Sequence, residues 1–302
     1  KNTVVYTEAA TGNYCITPVI AALCGARVFA IAKNSKHGSA KEAIRQTKDF
    51  AKIMQVSEAI KIVTNKSRIP FKTLDIVTNT GFVRPIDKKI IKKLDSKCVI
   101  SLMWEPWEFR SSDIDIDELK KRGIKVYGTN ENHQNLKTFE YLGFVMLKQI
   151  ILKQITPDTG PVLIIGSREF GVPVKKILSS LNYTTKIQSN LNKKIRINKF
   201  KSIIILEHKN DMLIIGKDKK AYIQHKDIKK NHIIFHLCGN IDINNINCDV
   251  VPKKPAKFGY MSFTADDINP RAVVDLHTAG LKVAEGMIKA NILNLKGYDY
   301  KK

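Results

Sequence analysis

The run Gly166-Ser167-Arg168-Glu169-Phe170-Gly171 follows the apolar stretch Pro161 to Ile165 and precedes a helix-forming segment, Pro173 to Leu181. A glycine at each end of six residues after a buried strand has the register of GxGxxG, a turn in which backbone amides at a helix N-terminus meet the pyrophosphate of a dinucleotide. Arg168 stands where the second glycine would be. Its guanidinium suits a phosphate, a 2′-phosphate included, so NADP competes with NAD as the expected cofactor. The next strand, Thr185 to Gln188, lacks the acidic residue that would take the ribose hydroxyls, and Gln188 is the polar side chain in its place. The expected cofactor contacts are therefore Gly166, Ser167, Arg168, Gly171 and Gln188. The alternative is a structural turn that holds no cofactor.

Four loops rich in polar and aromatic residues each follow an apolar segment: Glu8 to Tyr14, Asn79 to Pro85, Trp104 to Arg110 and Gly128 to His133. Open parallel sheets bind ligands at such strand ends. Asn13, Asn79, Arg84, Asn130 and Glu131 are the candidate substrate contacts in three of them. In the remaining loop Trp104, Glu105, Trp107, Glu108 and Arg110 stand together, a composition suited to stacking a planar ligand and fixing its polar edge. Plugging a domain interface is the competing reading of the two tryptophans. Among seven histidines, His133 and His277 stand where the chain should cross between its halves, and they are the candidate general acids or bases. His208 follows a buried strand and His236 lies within one.

Residues so placed need a scaffold, and the alternation of segments supplies it. Short apolar runs at Val4 to Thr7, Arg27 to Ala32, Ala59 to Thr64, Leu74 to Thr78, Cys98 to Met103 and Ile124 to Tyr127 read as strands. Helical segments at Thr17 to Ala22, Ser39 to Met54, Pro85 to Leu94 and Asp115 to Arg122 fall between them. This order predicts a parallel sheet covered by helices on both faces. A long helix, Gln134 to Lys153, opens the second half. Strands follow at Pro161 to Ile165, Thr185 to Gln188, Ser202 to Glu207, Met212 to Ile215 and His232 to Leu237, and a helix from about Arg271 to Ile292 closes the chain.

The 302 residues suffice for two domains with real cores, and the longest apolar runs fall short of a membrane span. Five scattered cysteines without CxxC or Cys/His ligand spacing argue against a disulfide framework and a metal site, and read as reduced thiols of a cytoplasmic protein. The formal charge of +23 invites a nucleic-acid reading. Its distribution argues otherwise, because residues 1–151 carry 25 basic and 15 acidic side chains and residues 152–302 carry 26 and 13. Only nine of the 51 basic residues are Arg, the side chain on which base-edge recognition most draws. The densest basic run, Lys193 to Lys201, alternates charged and apolar residues and is expected to be a solvated strand edge. The expected partner is a small molecule, without specific nucleic acid or membrane, and a homodimer is the assembly to test for.

The segment Asp113-Ile114-Asp115-Ile116-Asp117-Glu118-Leu119-Lys120-Lys121-Arg122-Gly123-Ile124-Lys125-Val126, with the strand and helix before it and the long helix after it, resembles the catalytic-domain edge of D-2-hydroxyacid dehydrogenases. Gly160 to Leu181 stands where that family has its Rossmann strand, glycine turn and helix. S-adenosylhomocysteine hydrolase shares the plan, so the resemblance is to a broad NAD(P)-binding superfamily. It implies an α/β chain of two Rossmann-like or flavodoxin-like domains with parallel sheets and a cleft between them: residues 1–133 plus 273–302 as the substrate domain, 134–272 as the nucleotide domain. Leu276-His277-Thr278-Ala279-Gly280 resembles the family's acid/base histidine segment in placement and in its His-to-Gly spacing, without the proline. Phe235 to Asn240 stands where the family has a substrate-binding Arg and carries none. The implied activity is NAD(P)-dependent oxidation or reduction of a small polar or carboxylated metabolite; the alternative is nucleotide or metabolite binding without hydride transfer.

Overall fold

The computed structural model describes residues 3–105, 110–133 and 135–289. The chain divides into two compact units, one running to Leu136 and resuming at Pro270, the other Lys137–Asn269.

In the first unit β1 (Val4–Glu8), β2 (Arg27–Ile31), β3 (Ile60–Val63), β4 (Ile76–Thr78), β5 (Val99–Ser101) and β6 (Lys125–Tyr127) form one sheet in the order β3-β2-β1-β4-β5-β6, with every pair parallel. The helices between them are α1 (Ile16–Leu23), α2 (Ala40–Ile53), α3 (Lys88–Ile91) and α4 (Ile116–Lys121). Their starts are written locally: Ser39, Asp87 and Asp115 cap α2, α3 and α4 by accepting the N–H groups of Glu42, Ile90 and Glu118. Period-two alternation sorts the strand side chains onto two faces. Val5, Val28, Ile76 and Val99 pack with α1 and with Val283, Ala284 and Met287 of the final helix, Pro270–Lys289. Tyr6, Phe29, Val77 and Ile100 pack with Ile90, Ile91 and Leu119 on the other side.

That final helix lies very close to the end of β5. A Cβ on Gly280 would sit 2.9 Å from Met103 Cα, and Ser101 Oγ donates to Gly280 O at 2.8 Å.

The second unit opens with α5 (Thr138–Leu152), β7 (Val162–Gly166), α6 (Arg168–Ser180), β8 (Thr185–Gln188) and β9 (Ser202–Leu206). It continues with β10 (Leu213–Gly216), β11 (Ile223–Gln224), β12 (Ile233–Cys238), β13 (Asn240–Ile241) and β14 (Asp249–Val251). The final helix of the chain is thus α7. Five of these strands form a parallel sheet in the order β14-β12-β9-β7-β8, and β11-β10-β13 form a smaller parallel sheet.

Coverage of this unit departs from the expectation of helices on both faces. Phe139, Met146, Phe170 and Val174 of α5 and α6 cover Ile164, Ile204 and Phe235 on one face. The opposite face, with Leu163, Ile165, Ile203, Ile205 and Ile234, is closed by Ile214, Ile215, Tyr222 and Ile223 of the small sheet and by Ile197 and Phe200. The basic run Lys193 to Lys201 is accordingly no strand edge: it is an irregular crossing anchored by buried Ile197 and Phe200. The helix read as starting at Pro173 starts at Arg168 and carries Pro173 inside it. Among the described residues no helix is long and apolar enough to cross a membrane.

Candidate functional site

Strand order reverses between β1 and β4 in the first unit, which opens a crevice beyond their carboxyl ends. The residues there are polar and buried. Thr78 Oγ1 donates to Thr7 Oγ1 at 2.9 Å and lies 3.1 Å from Thr80 Oγ1. Glu8 Oε2 accepts the Phe82 N–H at 2.8 Å. Burial raises the Glu8 carboxyl pKa, against the smaller lowering effects of the Phe82 amide and the Arg84 charge. Asn79 is fully buried, and among the described residues neither its amide oxygen nor its amide nitrogen has a partner, although its backbone N–H donates to Ser101 O. Such a side chain forgoes about 1–3 kcal/mol per unmet group unless something polar reaches it.

The neighbouring loops add charge. Arg84 Nη1 binds Asp113 Oδ2 at 2.9 Å, and its guanidinium carbon stands 5.2 Å from the centre of the Trp104 ring. Arg110 reaches the same Asp113 oxygen at 3.5 Å. Glu105 and Glu131, both buried, exchange hydrogen bonds: the Glu131 N–H donates to Glu105 Oε1 at 2.8 Å and the Glu105 N–H to Glu131 Oε1 at 3.3 Å. This latch joins the loops after β5 and β6. Asn130 Oδ1 accepts the Asn132 N–H, and half-buried His133 accepts the Asn135 N–H on Nδ1 at 3.2 Å, so its neutral form carries the proton on Nε2. Asn13 is half-buried in a single-turn helix, Gly12–Cys15. The loops after β4, β5 and β6 thus bring Asn79, Arg84, Trp104, Glu105, Asn130 and Glu131 to one edge of one sheet. Trp107 and Glu108 lie outside the described residues.

His277 is not open to a ligand. It lies inside α7, fully enclosed, with Nδ1 2.6 Å from Thr17 Oγ1 and the Tyr14 ring 5.6 Å away. Burial pushes its pKa down to about 4. Thr278, Ala279 and Gly280 continue the helix, and Gly280 serves the close approach of α7 to Met103 rather than of a ligand. The placement is that of a neutral core histidine.

In the second unit the order reverses between β7 and β9, and the turn Gly166 to Gly171 stands at that reversal. Gly166 has φ +133°, and a Cβ there would lie 2.5 Å from the Leu206 carbonyl, so glycine is required for β7 to pass β9. Gly171 meets only ordinary contacts with Ile164 and Ile187. The α6 ladder starts with the Gly171 N–H on Ser167 O. Arg168 is exposed at the first position of the helix and has no ion pair among the described residues. Gln188 is turned to its own loop, donating to Lys193 O at 3.2 Å.

Beside this turn is a cluster that sequence reasoning missed. Ser167 Oγ lies 3.0 Å from His208 Nδ1, Glu169 Oε2 lies 3.4 Å from His208 Nε2 and 2.7 Å from Lys209 Nζ, and the Phe170 ring stacks on the imidazole at 4.1 Å. Burial outweighs the nearby Glu169 charge and lowers the His208 pKa to about 4. The available signal was position: His208 follows β9, the strand beside the glycine turn.

No protein-family model and no curated protein sequence matches the chain. Solved structures do. A dipicolinate synthase chain from Bacillus halodurans superposes with a TM-score of 0.56 at 10% identity, covering 95% of this chain and 97% of that one. Its counterpart from Bacillus subtilis, also a dipicolinate synthase, gives 0.57 at 10% identity, covering 96% of each. D-lactate dehydrogenase with NAD+ from Lactobacillus jensenii gives 0.55 at 11% identity, covering 98% and 100%. At such identity the likeness establishes the fold alone: an α/β chain with parallel sheets, folded like the D-2-hydroxyacid dehydrogenase and dipicolinate synthase structures it superposes on. The resemblance read from residues 74–149 and 160–181 is to proteins of that same fold.

Proposed function

We propose that this chain is a nicotinamide-dinucleotide oxidoreductase acting on a small polar or carboxylated metabolite. The observation that carries the reading is the β7–α6 crossover: a glycine-bounded turn into a helix N-terminus at the point where the strand order reverses, in a fold shared along nearly its whole length with a dehydrogenase in its NAD complexed form.

The residues suit the cofactor. The N-terminal amides of α6 precede its hydrogen-bond ladder, and Arg168 offers an uncommitted charge for a phosphate. With no carboxylate at the end of β8, NADP is favoured over NAD. The bound nicotinamide supplies or accepts the hydride. In the first unit, Asn79 offers an unmet donor and acceptor to the substrate. Arg84 and Arg110, held by Asp113, supply positive charge for an anionic group, and Trp104 gives Arg84 a surface to rest on. Asn13, Glu105, Asn130 and Glu131 complete this polar edge, and His133, with Nε2–H as donor, is the proton-carrying group to test. His277 has no part in this scheme.

A second reading, dinucleotide or metabolite binding without hydride transfer, is favoured by one observation: the histidine matching the family's acid/base position is sealed in α7.

The test is calorimetric titration of NAD+, NADH, NADP+ and NADPH into wild type and Arg168→Glu. Saturable binding is expected, with 2′-phosphorylated forms preferred and about tenfold weaker in the variant, the size of one lost charge-assisted contact. No binding to the wild type overturns the proposal. Binding without absorbance change at 340 nm across a panel of 2-oxo and 2-hydroxy acids selects the second reading.

A further inference from the structure

The first unit contains a groove of about 700 Å³ that the proposed activity does not use. Its wall is made by the segment before β4, the residues just after α3 and the turn before β6. Thirteen residues line it, and five of them are cationic, Lys66, Lys72, Lys92, Lys93 and Arg122, against one acid, Asp95. The overall frequency of 51 Lys and Arg in 302 residues would place about two there, so the groove is enriched beyond the composition of the chain.

Among the described residues no carboxylate lies within ion-pair distance of any of the five. Lys66 instead donates to the carbonyls of Val83, Arg84 and Pro85, which fix its position without cancelling its charge. Burial and the neighbouring Lys33 push its pKa down to about 8, against the smaller raising effect of the Asp87 charge. Arg122 gives Nη2 to Leu94 O at 3.0 Å while its buried Nε finds no partner among the described residues. Lys93 stands 5.6 Å over the ring of Phe71, and Ile69, Pro70 and Leu94 make the rest of an apolar wall.

A concave site with one sign of charge and low-dielectric walls concentrates the opposite ion. Cations that exceed the acids by four, with Lys66 and Arg122 held by backbone carbonyls, call for a ligand of several negative charges, and the apolar wall calls for an organic body of the size that such a volume holds. We infer that this groove binds an organic polyphosphate of nucleotide size, at a site distinct from the β7–α6 turn. The inference does not rest on the proposed oxidoreductase activity, since every residue involved belongs to the first unit.

The experiment titrates ATP and inorganic tripolyphosphate into the full chain, with and without saturating NADP+ so that the β7–α6 turn is occupied. It uses wild type, Lys92→Glu/Lys93→Glu, and Lys217→Glu/Lys219→Glu as an equal charge reversal on the exposed surface of the second unit. Circular dichroism confirms that each variant folds. Expected are saturable ATP binding unaffected by NADP+, weaker binding of tripolyphosphate, and a loss of tenfold or more in the groove variant alone. Absence of saturable binding, equal loss in the two double variants, tripolyphosphate binding as tightly as ATP, or tighter binding of a duplex oligonucleotide through the same lysines would each overturn it.

Discussion

The six-stranded sheet reverses its order at β1 and β4 and the five-stranded sheet at β7 and β9, yet the groups gathered at the two reversals are opposite in kind. At the first are buried, mostly uncharged groups: Asn79, whose two amide atoms meet no partner among the described residues, and mutually bonded threonine hydroxyls beside a carboxyl whose pKa is raised by burial. At the second most groups are matched to one another, Glu169 with Lys209 and the neutral imidazole of His208 with Ser167 and Glu169, while Arg168 alone among them makes no ion pair with the described residues. A polar group left unmet in the interior is stabilised by an incoming ligand, whereas a matched set mainly fixes the turn that carries it. The comparison teaches that a position at a sheet's crevice is shared, while readiness for a ligand depends on which side chains remain unpaired.

Backbone substitution at the second reversal should have the largest effect. Gly166→Ala places a Cβ 2.5 Å from the Leu206 carbonyl at a φ of +133°, and a loss of about 3 kcal/mol or more is expected in urea denaturation. Gly171→Ala, in the same motif but with ordinary contacts beginning at 3.5 Å, should be neutral or gain up to about 1 kcal/mol from helix propensity. Equal damage at both glycines would mean that the turn is more tightly built than described.

Acid should strain both units through their buried histidines. His277 and His208 each titrate near pH 4 in the native protein and near 6.5 when unfolded. Between those values the unfolded chain takes up the proton, so stability present above pH 6.5 is lost as pH falls toward 4. For the sealed His277 the loss is about 3 kcal/mol. Denaturation of His277→Gln at pH 7 and 4.5 should show most of that difference gone. His208→Gln should remove less, because Glu169 at 3.4 Å favours the charged imidazole.

The smallest effect tests the unmet polar groups of the first unit. Tyr6 is buried, and its hydroxyl has no partner among the described residues. Tyr6→Phe should therefore be neutral or stabilising by up to about 1 kcal/mol, read as a shift of the denaturation midpoint. A clear loss would show that the hydroxyl has a partner, and would weaken the contrast drawn with the second unit.

Much of the scaffold was written in local sequence. Short apolar runs in Val4–Glu8, Arg27–Ile31 and Val162–Gly166, and side-chain caps at Ser39, Asp87 and Asp115, act over a few residues and were readable without the structure. The short strands β11, β13 and β14 were not, because segments of two or three residues carry no periodicity. The basic run 193–201 misled for a related reason: buried Ile197 and Phe200 resemble strand alternation, but they are anchors of a crossing whose partners lie on β10 and β11. The candidate loops after β4, β5 and β6 were legible from composition, and the parallel order of their strands places them on one edge.

The sequence by itself determined the alternation of strands and helices, the glycine turn and the polar loops, since each depends on neighbours within one turn or one strand. Only the tertiary structure decided which side chains were already spent. His277 follows the expected spacing, yet the packing of α7 against α1 and β5 gives its imidazole to Thr17 and closes it from solvent. His208 looked ordinary, yet the passage of β7 beside β9 brings it to Ser167 and Glu169. A residue's chemistry depends on its burial and its partners, and those partners lie 260 positions away in the first case and 41 in the second, beyond the reach of any local pattern.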